Sequence, residues 1–540
     1  MIKAMKRNKV YGFLDVQDGK LVNGRGEPIL LTGWGLGNWL LPEGYMWLAG
    51  GPRMDRPRTI ERIVAEVAGE DYAAHFWQEF RSRYVRKEDI ARMAELGYNS
   101  VRIPINARLF LEEKPGLHWV DEGFELLDHC LAWCETYGLY AFIDLHGAPG
   151  GQTGSNIDDS TDDFPRLFTD EDCFRKGIAL WKKLAERYAD RWVVGGYDLL
   201  NEPLRPAMRE GQEDTAYLLP ELRRFYREAI HEIRKVDQKH LFSIEGHHWS
   251  SSPEIFDEKF DEKMLIHFHR YACLPDIDCY KPFLKAAKEL NMPLWLGETG
   301  ENVSEWFTAM YPLAAELGIG YNIWPWKKMR TQNSPCSIRK PEGWDAILDY
   351  SRGGKLPDRT EAQKALDEYL DNMLLENCDE NVQLHDAIFR RPGAVMRATD
   401  FDELGGAGVS YLCRRKVENP FSYRTDSGME IVEADPNAQK EFGFDCLWRR
   451  FTLGLEAGEF ACYTLFDIPA GASIAVTLTC RRTARLRIEQ DETELGEWGL
   501  SGENDSVTLP NVPLRVSDRS VLRIRVDSGR VELEKITTFR

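Results

Sequence analysis

Short apolar runs alternate with longer stretches of helical periodicity from the amino terminus to about residue 380. Such alternation predicts βα units around a parallel sheet, whose strands are buried on both faces and therefore read as continuous apolar runs. The predicted strands are 29–34, 100–105, 140–145, 196–200, 241–245, 264–268, 293–297 and 319–324. The main predicted helices are 85–96, 122–137, 171–188, 220–235 and 281–289.

Eight strands with intervening helices favour an α/β architecture closed into a (β/α)₈ TIM barrel. A doubly wound open sheet is the competing fold, but no glycine-rich phosphate loop follows the first strand. Two segments interrupt the repeat. Residues 42–84 form a long aromatic insertion after the first strand, which we expect to be ordered, and residues 147–170 are rich in Gly, Asp and Ser and predict a rim loop.

The pattern changes after about residue 390, where helical periodicity stops and short alternating runs appear between Gly and Asp residues. This pattern predicts an antiparallel, jelly-roll-like β-sandwich. Its predicted strands are 451–455, 462–466, 473–479, 486–489, 506–509 and 521–526. We therefore divide the chain into a catalytic barrel domain, residues 1–385, and a β-sandwich domain, residues 386–540.

The net charge of −19 over 540 residues makes nucleic acid and anionic membrane surfaces poor partners. The sequence shows no apolar run long enough for a secretory signal or for a membrane span. Its 11 cysteines are scattered and form no Cys-x-x-Cys pair, which indicates reduced thiols rather than zinc ligands or a disulfide framework. A cytoplasmic location is the expectation, and the oligomeric state cannot be read from the sequence.

Two glutamates, Glu202 and Glu298, stand where predicted strands end, in Asn201-Glu202-Pro203 and in Gly297-Glu298-Thr299. A carboxylate that ends an apolar run is costly to bury without a partner. Two of them at the carboxyl ends of barrel strands predict paired acids that face one cleft, because chemistry gathers at that end of a barrel. Paired carboxyl groups are what cleavage of a glycosidic bond needs.

Other polar and aromatic residues follow the remaining strands at equivalent points. They are Arg102, His146, Asn201, His269, Tyr271 and Trp326. Arg102 and the Tyr271 hydroxyl can keep one glutamate ionised, and Asn201 can bind a sugar hydroxyl beside the reaction centre. Trp326 offers an apolar face to a pyranose ring, while His146 and His269 supply neutral donors and acceptors.

Each of these residues also has a structural interpretation. Glu202 or Glu298 alone would more often be a surface or capping residue, and Arg102 alone is equally compatible with a structural ion pair. The inward histidine of the sixth strand can be His267 instead of His269, and Trp324 shares a face with Trp326 and can serve in core packing. The sequence His247-His248-Trp249 fits either the cleft or a packed turn. A metal site is not expected, and no cofactor is predicted.

The ordered set of motifs resembles glycoside hydrolase family 5, and within it the exo-β-1,3-glucanase and β-glucosidase group. The stretches that carry the resemblance, over roughly residues 10–350, are Gly35-Leu36-Gly37-Asn38-Trp39-Leu40, Val101-Arg102-Ile103-Pro104-Ile105, Asp144-Leu145-His146-Gly147-Ala148-Pro149-Gly150-Gly151-Gln152 and Leu199-Leu200-Asn201-Glu202-Pro203-Leu204. The resemblance implies that Glu202 is the acid/base and Glu298 the nucleophile. Thr299 departs from it, since that group usually has an aromatic residue after the nucleophile.

The tail resembles a family 6 carbohydrate-binding sandwich through Gly405-Gly406-Ala407-Gly408-Val409-Ser410-Tyr411, Tyr423-Arg424, Gly458-Glu459-Phe460-Ala461-Cys462-Tyr463-Thr464 and Val531-Glu532-Leu533-Glu534-Lys535-Ile536. Phe460 stands where that pattern typically has Trp, and a Glu replaces a ligand-binding Asn, so we favour a structural role for this domain over sugar binding.

The sequence thus predicts a retaining β-glycosidase that removes sugar from the end of β-glucosides or β-glucan oligosaccharides. Two alternatives remain. The same mechanism can act on another substrate, such as a β-mannoside, a glucosylated lipid or another hydrophobic aglycone; alternatively, the protein binds sugar without turnover. Apolar residues in the 42–84 insertion would favour a hydrophobic aglycone, whereas a closed aromatic pocket would favour exo-action on glucan.

Overall fold

The computed structural model describes residues 9–208, 210–502 and 504–540. The basic amino-terminal stretch, residues 1–8, lies outside the described residues. The first elements are a hairpin of β1 (Asp15–Gln17) and β2 (Lys20–Val22). Apolar residues around this hairpin pack against barrel residues such as Phe142 and Trp295 in a separate buried cluster. Because these residues lie near the starts of their strands, the hairpin segment closes the amino-terminal end of the barrel.

Eight parallel strands form a closed barrel, which confirms the predicted fold and excludes an open sheet. The strands are β3 (Thr32–Gly35), β4 (Ser100–Asn106), β5 (Tyr140–Gly147), β6 (Val194–Asp198), β7 (Leu241–Glu245), β8 (Met264–Arg270), β9 (Leu294–Gly300) and β10 (Gly320–Trp324). They follow one another in chain order around the barrel, and β10 pairs with β3 to close it. Every residue of β4 and β5 is buried, as expected for strands covered on both faces.

Helices surround the barrel and confirm the five predicted ones. The helices up to the end of the barrel are α1 (Pro57–Ala68), α2 (Glu70–Tyr84), α3 (Lys87–Leu96), α4 (Glu122–Tyr137), α5 (Glu171–Tyr188), α6 (Leu219–Arg234), α7 (His247–Ser250), α8 (Lys281–Leu290) and α9 (Ser304–Glu316). The element α7 is one left-handed turn, with φ of 55° at His248 and 54° at Trp249. Left-handed backbone costs roughly 1–2 kcal/mol per residue.

The 42–84 insertion is ordered, as predicted, and forms α1 and α2. Trp47 is fully buried and packs against Phe76, Trp77 and Phe80, and its ring also contacts Trp344. These aromatic side chains of the insertion therefore form a buried core beside the barrel. We expected apolar residues in this insertion to favour a hydrophobic aglycone. Because these side chains are buried in the core, they give no evidence about the substrate.

Three short strands and three helices connect the barrel to the second domain. They are β11 (Lys327–Met329), β12 (Cys336–Ile338), α10 (Trp344–Ser351), α11 (Arg359–Asn372), β13 (Asp379–Glu380) and α12 (Val382–Ile388). The predicted boundary at residue 385 falls inside α12. This helix contacts α9 closely, so the end of the barrel region and the start of the second domain are structurally continuous.

Two antiparallel sheets form the carboxyl-terminal domain, which confirms the predicted sandwich. The strands are β14 (Val395–Arg397), β15 (Tyr411–Leu412), β16 (Glu430–Glu433), β17 (Phe451–Glu456), β18 (Phe460–Ile468), β19 (Ser473–Cys480), β20 (Ala484–Gln490), β21 (Thr493–Leu500), β22 (Asn504–Thr508), β23 (Val512–Pro513), β24 (Ser517–Ser528) and β25 (Arg530–Phe539). One sheet has the order β16-β17-β25-β19-β22, and the other β15-β18-β24-β20-β21. The resemblance of this domain to a family 6 binding module stays a prediction.

The sandwich packs directly against the barrel. The backbone N–H of Arg424 donates to Asp276 Oδ2 at 2.9 Å, and Arg390 Nε donates to the carbonyl of Thr308 at 2.7 Å. Lys281 and Asp426 form an ion pair at 2.6 Å. The first two contacts are buried and the ion pair is exposed, so the two domains share a packed interface rather than a flexible tether.

All 11 cysteines lie within the described residues, and all are free. The cytoplasmic location inferred from them stays a prediction. Within the part of the chain that the structure describes, no helix has both the length and the apolar character needed to cross a membrane.

Candidate active site

Arg102 is the centre of a buried polar cluster at the carboxyl end of the barrel. It lies on β4 and is fully buried. Its Nε donates to Asp198 Oδ2 at 2.7 Å and its Nη1 to Glu298 Oε2 at 2.5 Å. Its Nη2 donates to Asn201 Oδ1 at 2.8 Å and to Glu245 Oε1 at 3.0 Å. One guanidinium therefore fixes groups from several strands in a single arrangement.

Glu298 lies on β9 and is held ionised. Tyr271 Oη donates to Glu298 Oε1 at 2.6 Å, opposite the oxygen that Arg102 engages. Burial alone would raise the pKa of Glu298, but the charges of His269 and Arg102 and the Tyr271 hydrogen bond outweigh it and hold this pKa below its usual value. A carboxylate with two strong donors and a depressed pKa is suited to act as a nucleophile.

Glu202 follows β6, and the buried carboxyl group of Glu245 holds its backbone in position. Its backbone has a φ of 43°, and its N–H donates to Glu245 Oε2 at 2.7 Å. His269 Nδ1 lies 2.8 Å from Glu202 Oε1. Burial raises the pKa of Glu202 to about 7, aided by the nearby charges of Glu298 and Glu245 and opposed by His269. Glu202 can therefore carry a proton near neutral pH, as a general acid must.

The spacing of the two carboxyl groups distinguishes between two stereochemical courses. One oxygen of Glu202 lies within 4.8 Å of one oxygen of Glu298. Retaining glycosidases place their carboxyl groups about 5–5.5 Å apart, whereas inverting ones leave about 6.5–9.5 Å for a water molecule. An approach this close is compatible with the shorter, retaining spacing, in which one carboxylate attacks the sugar directly.

His146 lines the cleft and contacts Asn201, which is fully buried beside it. His146 Nδ1 lies 2.8 Å from Asp144 Oδ2, and its Nε2 lies 3.1 Å from Asn201 Nδ2. Burial lowers the pKa of His146 to about 4, so the ring is neutral. The Trp324 ring stacks on His146 with 5.3 Å between centroids and 5° between planes.

The structure does not bring Trp326 to the cleft, which corrects the predicted sugar platform. Its side chain is 1% exposed, and its Nε1 donates to Asp89 Oδ1 on α3 at 2.9 Å. Trp324 lines the cleft instead. The reason is local, because β10 ends at Trp324 and the chain turns at Pro325, so the alternation of a strand does not continue to Trp326.

The remaining predicted residues gather in one place: Arg102, His146, Asn201, Glu202, His269, Tyr271 and Glu298. His267 also points inward, and its Nε2 lies 3.0 Å from His269 Nε2. Of the sequence His247-His248-Trp249, the first residue is buried, whereas His248 and Trp249 line the cleft. The loop after β5 reaches the cleft through Ser155, Asn156 and Ile157, as the rim-loop prediction implied.

Sequence reasoning missed four residues of the site: Glu43, Tyr45, Glu245 and Phe444. Glu43 and Tyr45, from the start of the insertion, line the cleft, and Glu43 Oε1 is buried without a hydrogen-bond partner among the described residues. Burial and the charges of Glu298 and Glu301 raise the pKa of Glu43 well above its usual value. Glu245 ends β7 and follows the same strand-end rule that identified Glu298, so the sequence did carry its signal. Phe444 comes from the second domain, and no local pattern predicts its position.

The cleft has a volume of about 700 Å³, which suits a sugar with an attached group. Two groups of described residues, Glu245-His267-His269 and Glu202-His269-Glu298, bring three potential metal-ligand atoms within 4.8 Å of one another. Protein donors already engage several of these oxygens, as Tyr271 does at Glu298. The expectation that no metal or cofactor takes part stays a prediction.

Comparisons with known proteins show one family profile and several relatives that this chain resembles. The family profile of Cellulase (glycosyl hydrolase family 5) matches residues 65–330. A β-xylosidase of Phanerodontia chrysosporium is 28% identical over 299 residues, which cover 55% of this chain and 59% of the relative. A glucan 1,3-β-glucosidase of Candida oleophila is 30% identical over 275 residues, or 48% of this chain and 60% of the relative.

The chain thus spans about three fifths of the length of these curated relatives. Among solved structures, the rutinosidase of Aspergillus niger superposes with a TM-score of 0.46 at 17% identity, covering 56% of this chain and 92% of the other. The range 65–330, which includes Arg102, Glu202 and Glu298, is thus similar to the cellulase domain of glycosyl hydrolase family 5.

Proposed function

We propose that this protein is a retaining β-glycosidase that removes sugar from the end of β-glucosides or β-glucan oligosaccharides by double displacement. The observation that carries the proposal is the pair Glu202 and Glu298, whose oxygens approach within 4.8 Å while their surroundings shift their pKa values in opposite directions. Two carboxyl groups that differ in this way can serve as acid and nucleophile at one pH.

The first step forms a glycosyl-enzyme ester. A Glu298 oxygen attacks the anomeric carbon while the bond to the leaving oxygen breaks and Glu202 gives that oxygen its proton. In the second step Glu202, now ionised, takes a proton from water, whose oxygen attacks the same carbon and releases Glu298. Two inversions retain the β configuration. Tyr271 and Arg102 hold Glu298 in place through both steps.

Exo-action on a terminal sugar is supported by the polar wall on one side of the cleft. Glu43, Tyr45 and Trp324 form this wall, and Trp324 Nε1 donates to Tyr45 Oη at 2.8 Å. The unpartnered carboxyl oxygen of Glu43 can accept a hydrogen bond from a sugar hydroxyl. A β-mannoside in place of a glucoside remains the closest alternative, since mannose differs from glucose at a single hydroxyl.

The test is hydrolysis of aryl β-glucoside, mannoside, galactoside and xyloside, with short β-1,3, β-1,4 and β-1,6 glucans beside them. The first-formed anomer, followed by NMR, is expected to be β. Glu298→Gln and Glu202→Gln are expected to lose turnover, while Glu289→Gln on the exposed face of α8 is a matched control that keeps it. An α product would overturn the retaining mechanism. Binding without hydrolysis of any substrate would favour a sugar-binding protein instead.

A further inference from the structure

Phe444 brings the carboxyl-terminal domain into the catalytic cleft. It lies between β16 and β17, and its ring lines the cleft beside Tyr271, with 4.8 Å between ring centroids and 32° between planes. Its carbonyl oxygen accepts a hydrogen bond from Asn302 Nδ2 at 3.0 Å. Tyr271 in turn donates to Glu298. A residue of the sandwich therefore packs against the side chain that hydrogen-bonds the proposed nucleophile.

The segment after Phe444 is held by contacts to the barrel and to the sandwich domain. Cys446 Sγ lies 3.2 Å from the carbonyl oxygen of Cys273, a cleft residue of the barrel. Asp445 is buried, and its Oδ1 accepts the N–H of Leu447 at 2.8 Å. Trp448 is fully buried, and its Nε1 donates to Asp400 Oδ1 at 3.1 Å. These contacts hold the backbone next to Phe444 in place, although Phe444 itself is 38% exposed.

The order of strands gives the cleft two chemically different sides. In an eight-stranded barrel β3 lies opposite β7, and β10 lies opposite β6. Glu43 and Tyr45 follow β3 and Trp324 ends β10, so the polar wall lies on that side. Met208 follows β6 and Trp249 lies in α7 after β7, so an apolar wall lies across the mouth.

The apolar wall lies on the side of the proposed acid. Glu202 also follows β6, and a general acid must reach the oxygen of the leaving group. Tyr271 follows β8, the neighbour of β7, so Phe444 joins Trp249 on this side. The group that departs from the sugar would therefore leave past Met208, Trp249 and Phe444.

Trp249, in the apolar wall, has a strained backbone and an indole N–H without a hydrogen-bond partner among the described residues. Its backbone is left-handed, with φ 54° and ψ 50°, and its Nε1 is shielded from solvent without a hydrogen-bond partner among the described residues. Backbone strain of this kind gathers at ligand sites. An indole N–H without a partner can donate to an oxygen of a bound molecule.

We propose that Phe444 is a specificity-determining residue of the leaving-group side, where it forms with Trp249 and Met208 a subsite for an apolar aglycone. The proposal rests on the proposed function and names its substrate class, a β-glycoside whose leaving group is an alkyl or other apolar body. It also gives the sandwich a role in substrate choice that requires no separate sugar-binding site on that domain.

The experiment compares octyl β-glucoside with methyl β-glucoside, which share the sugar and differ only in the apolar chain. We expect the wild-type protein to cleave the octyl glycoside with the higher kcat/KM. Phe444→Ala is expected to lower that preference roughly three- to tenfold, the loss of about one aromatic contact. Met208→Ala, at a side chain that is 56% exposed, should lower it in the same direction without affecting the fold.

Phe539→Ala is the matched control, since Phe539 lies on β25 of the same domain and is 39% exposed. It should leave the octyl-to-methyl ratio unchanged, and Phe444→Trp should restore it. The inference is overturned if aryl glucosides are cleaved but Phe444→Ala and Met208→Ala leave the ratio intact, or if Phe444→Ala slows both alkyl glucosides equally. Failure to cleave any glycoside would instead reject the proposed function.

Discussion

Removing the hydroxyl of Tyr271 should raise the pKa of the proposed nucleophile without disturbing the acid. Tyr271 Oη donates to Glu298 Oε1 at 2.6 Å, and burial together with the charges of Glu298 and Glu301 raises the pKa of this tyrosine well above 10. The hydroxyl therefore stays protonated and stabilises the ionised form of Glu298. Tyr271→Phe removes that donor but keeps the ring that stacks on Phe444.

The size of the effect follows from the charge on the acceptor. A hydrogen bond to a charged group contributes about 1.5–3 kcal/mol, and each pKa unit corresponds to about 1.4 kcal/mol. Loss of the Tyr271 bond should therefore raise the pKa of Glu298 by about 1–2 units. Because Arg102 Nη1 still donates to the other oxygen at 2.5 Å, Glu298 should remain ionisable below neutral pH.

The assay is the pH profile of kcat/KM on an aryl β-glucoside, which reports the pKa values of the free enzyme. Activity needs Glu298 ionised, so it falls on the acid side as pH drops through the pKa of Glu298. It also needs Glu202 protonated, so it falls on the alkaline side as pH rises through about 7. In Tyr271→Phe the acid limb should move up by about 1–2 pH units, while the alkaline limb stays. An active variant with an unmoved acid limb would refute the assignment of Glu298 as the ionised group that Tyr271 supports.

Two further predictions use neighbouring residues. Glu245→Ala should lower activity, and it should lower the free energy of unfolding by about 1–3 kcal/mol, because the Glu202 N–H loses its acceptor. Glu245→Gln should restore most of the activity and of the stability. Equal losses in the two variants would argue against a positioning role for Glu245. Both Trp324→Phe and Trp326→Phe lose an indole hydrogen bond and should lower the melting temperature, but only Trp324→Phe should raise KM for the glucoside. A KM effect of Trp326→Phe would show that its ring does reach the substrate.

The barrel could be predicted from the sequence because its strands are short, mainly apolar runs that alternate with helical stretches. The shortest one, β3, begins at Thr32 rather than at residue 29, since Ile29 and Leu31 join the cluster that closes the amino-terminal end. The sandwich was harder. In β25 the buried residues Leu533 and Ile536 are three apart, because the pairing with β19 shifts by one residue, and this breaks the period of two that a strand search follows.

The candidate site could be predicted where residues follow strand ends, because a barrel brings those ends together whatever their separation in the chain. This rule fails once the chain leaves the strand. Trp324 and Trp326 have the same parity, but only Trp324 belongs to β10, and the other ring turns outward to Asp89. The rule is also silent on Phe444, whose nearest barrel partners are more than a hundred residues away in sequence and meet it only through domain packing.

The balance of charge around Arg102 bears on how one site could hold both the proposed acid and the proposed nucleophile. Arg102 contacts Asp144, Asp198, Glu245 and Glu298, and one guanidinium cannot neutralise them all.

The pKa values of these carboxyl groups therefore differ widely. The charges of His267 and Arg102 overcome burial and lower the pKa of Asp198 to about 2, whereas burial raises that of Glu245 to about 8. The contacts of Arg102 are with other groups, whereas the backbone N–H of Glu202 binds Glu245, and burial raises the pKa of Glu202 to about 7. Burial thus retains the proton that the proposed reaction needs, and the negative charges of Glu298 and Glu245 add to its effect. A variant that adds a cation near Glu202 should weaken the acid even where it leaves every catalytic residue intact.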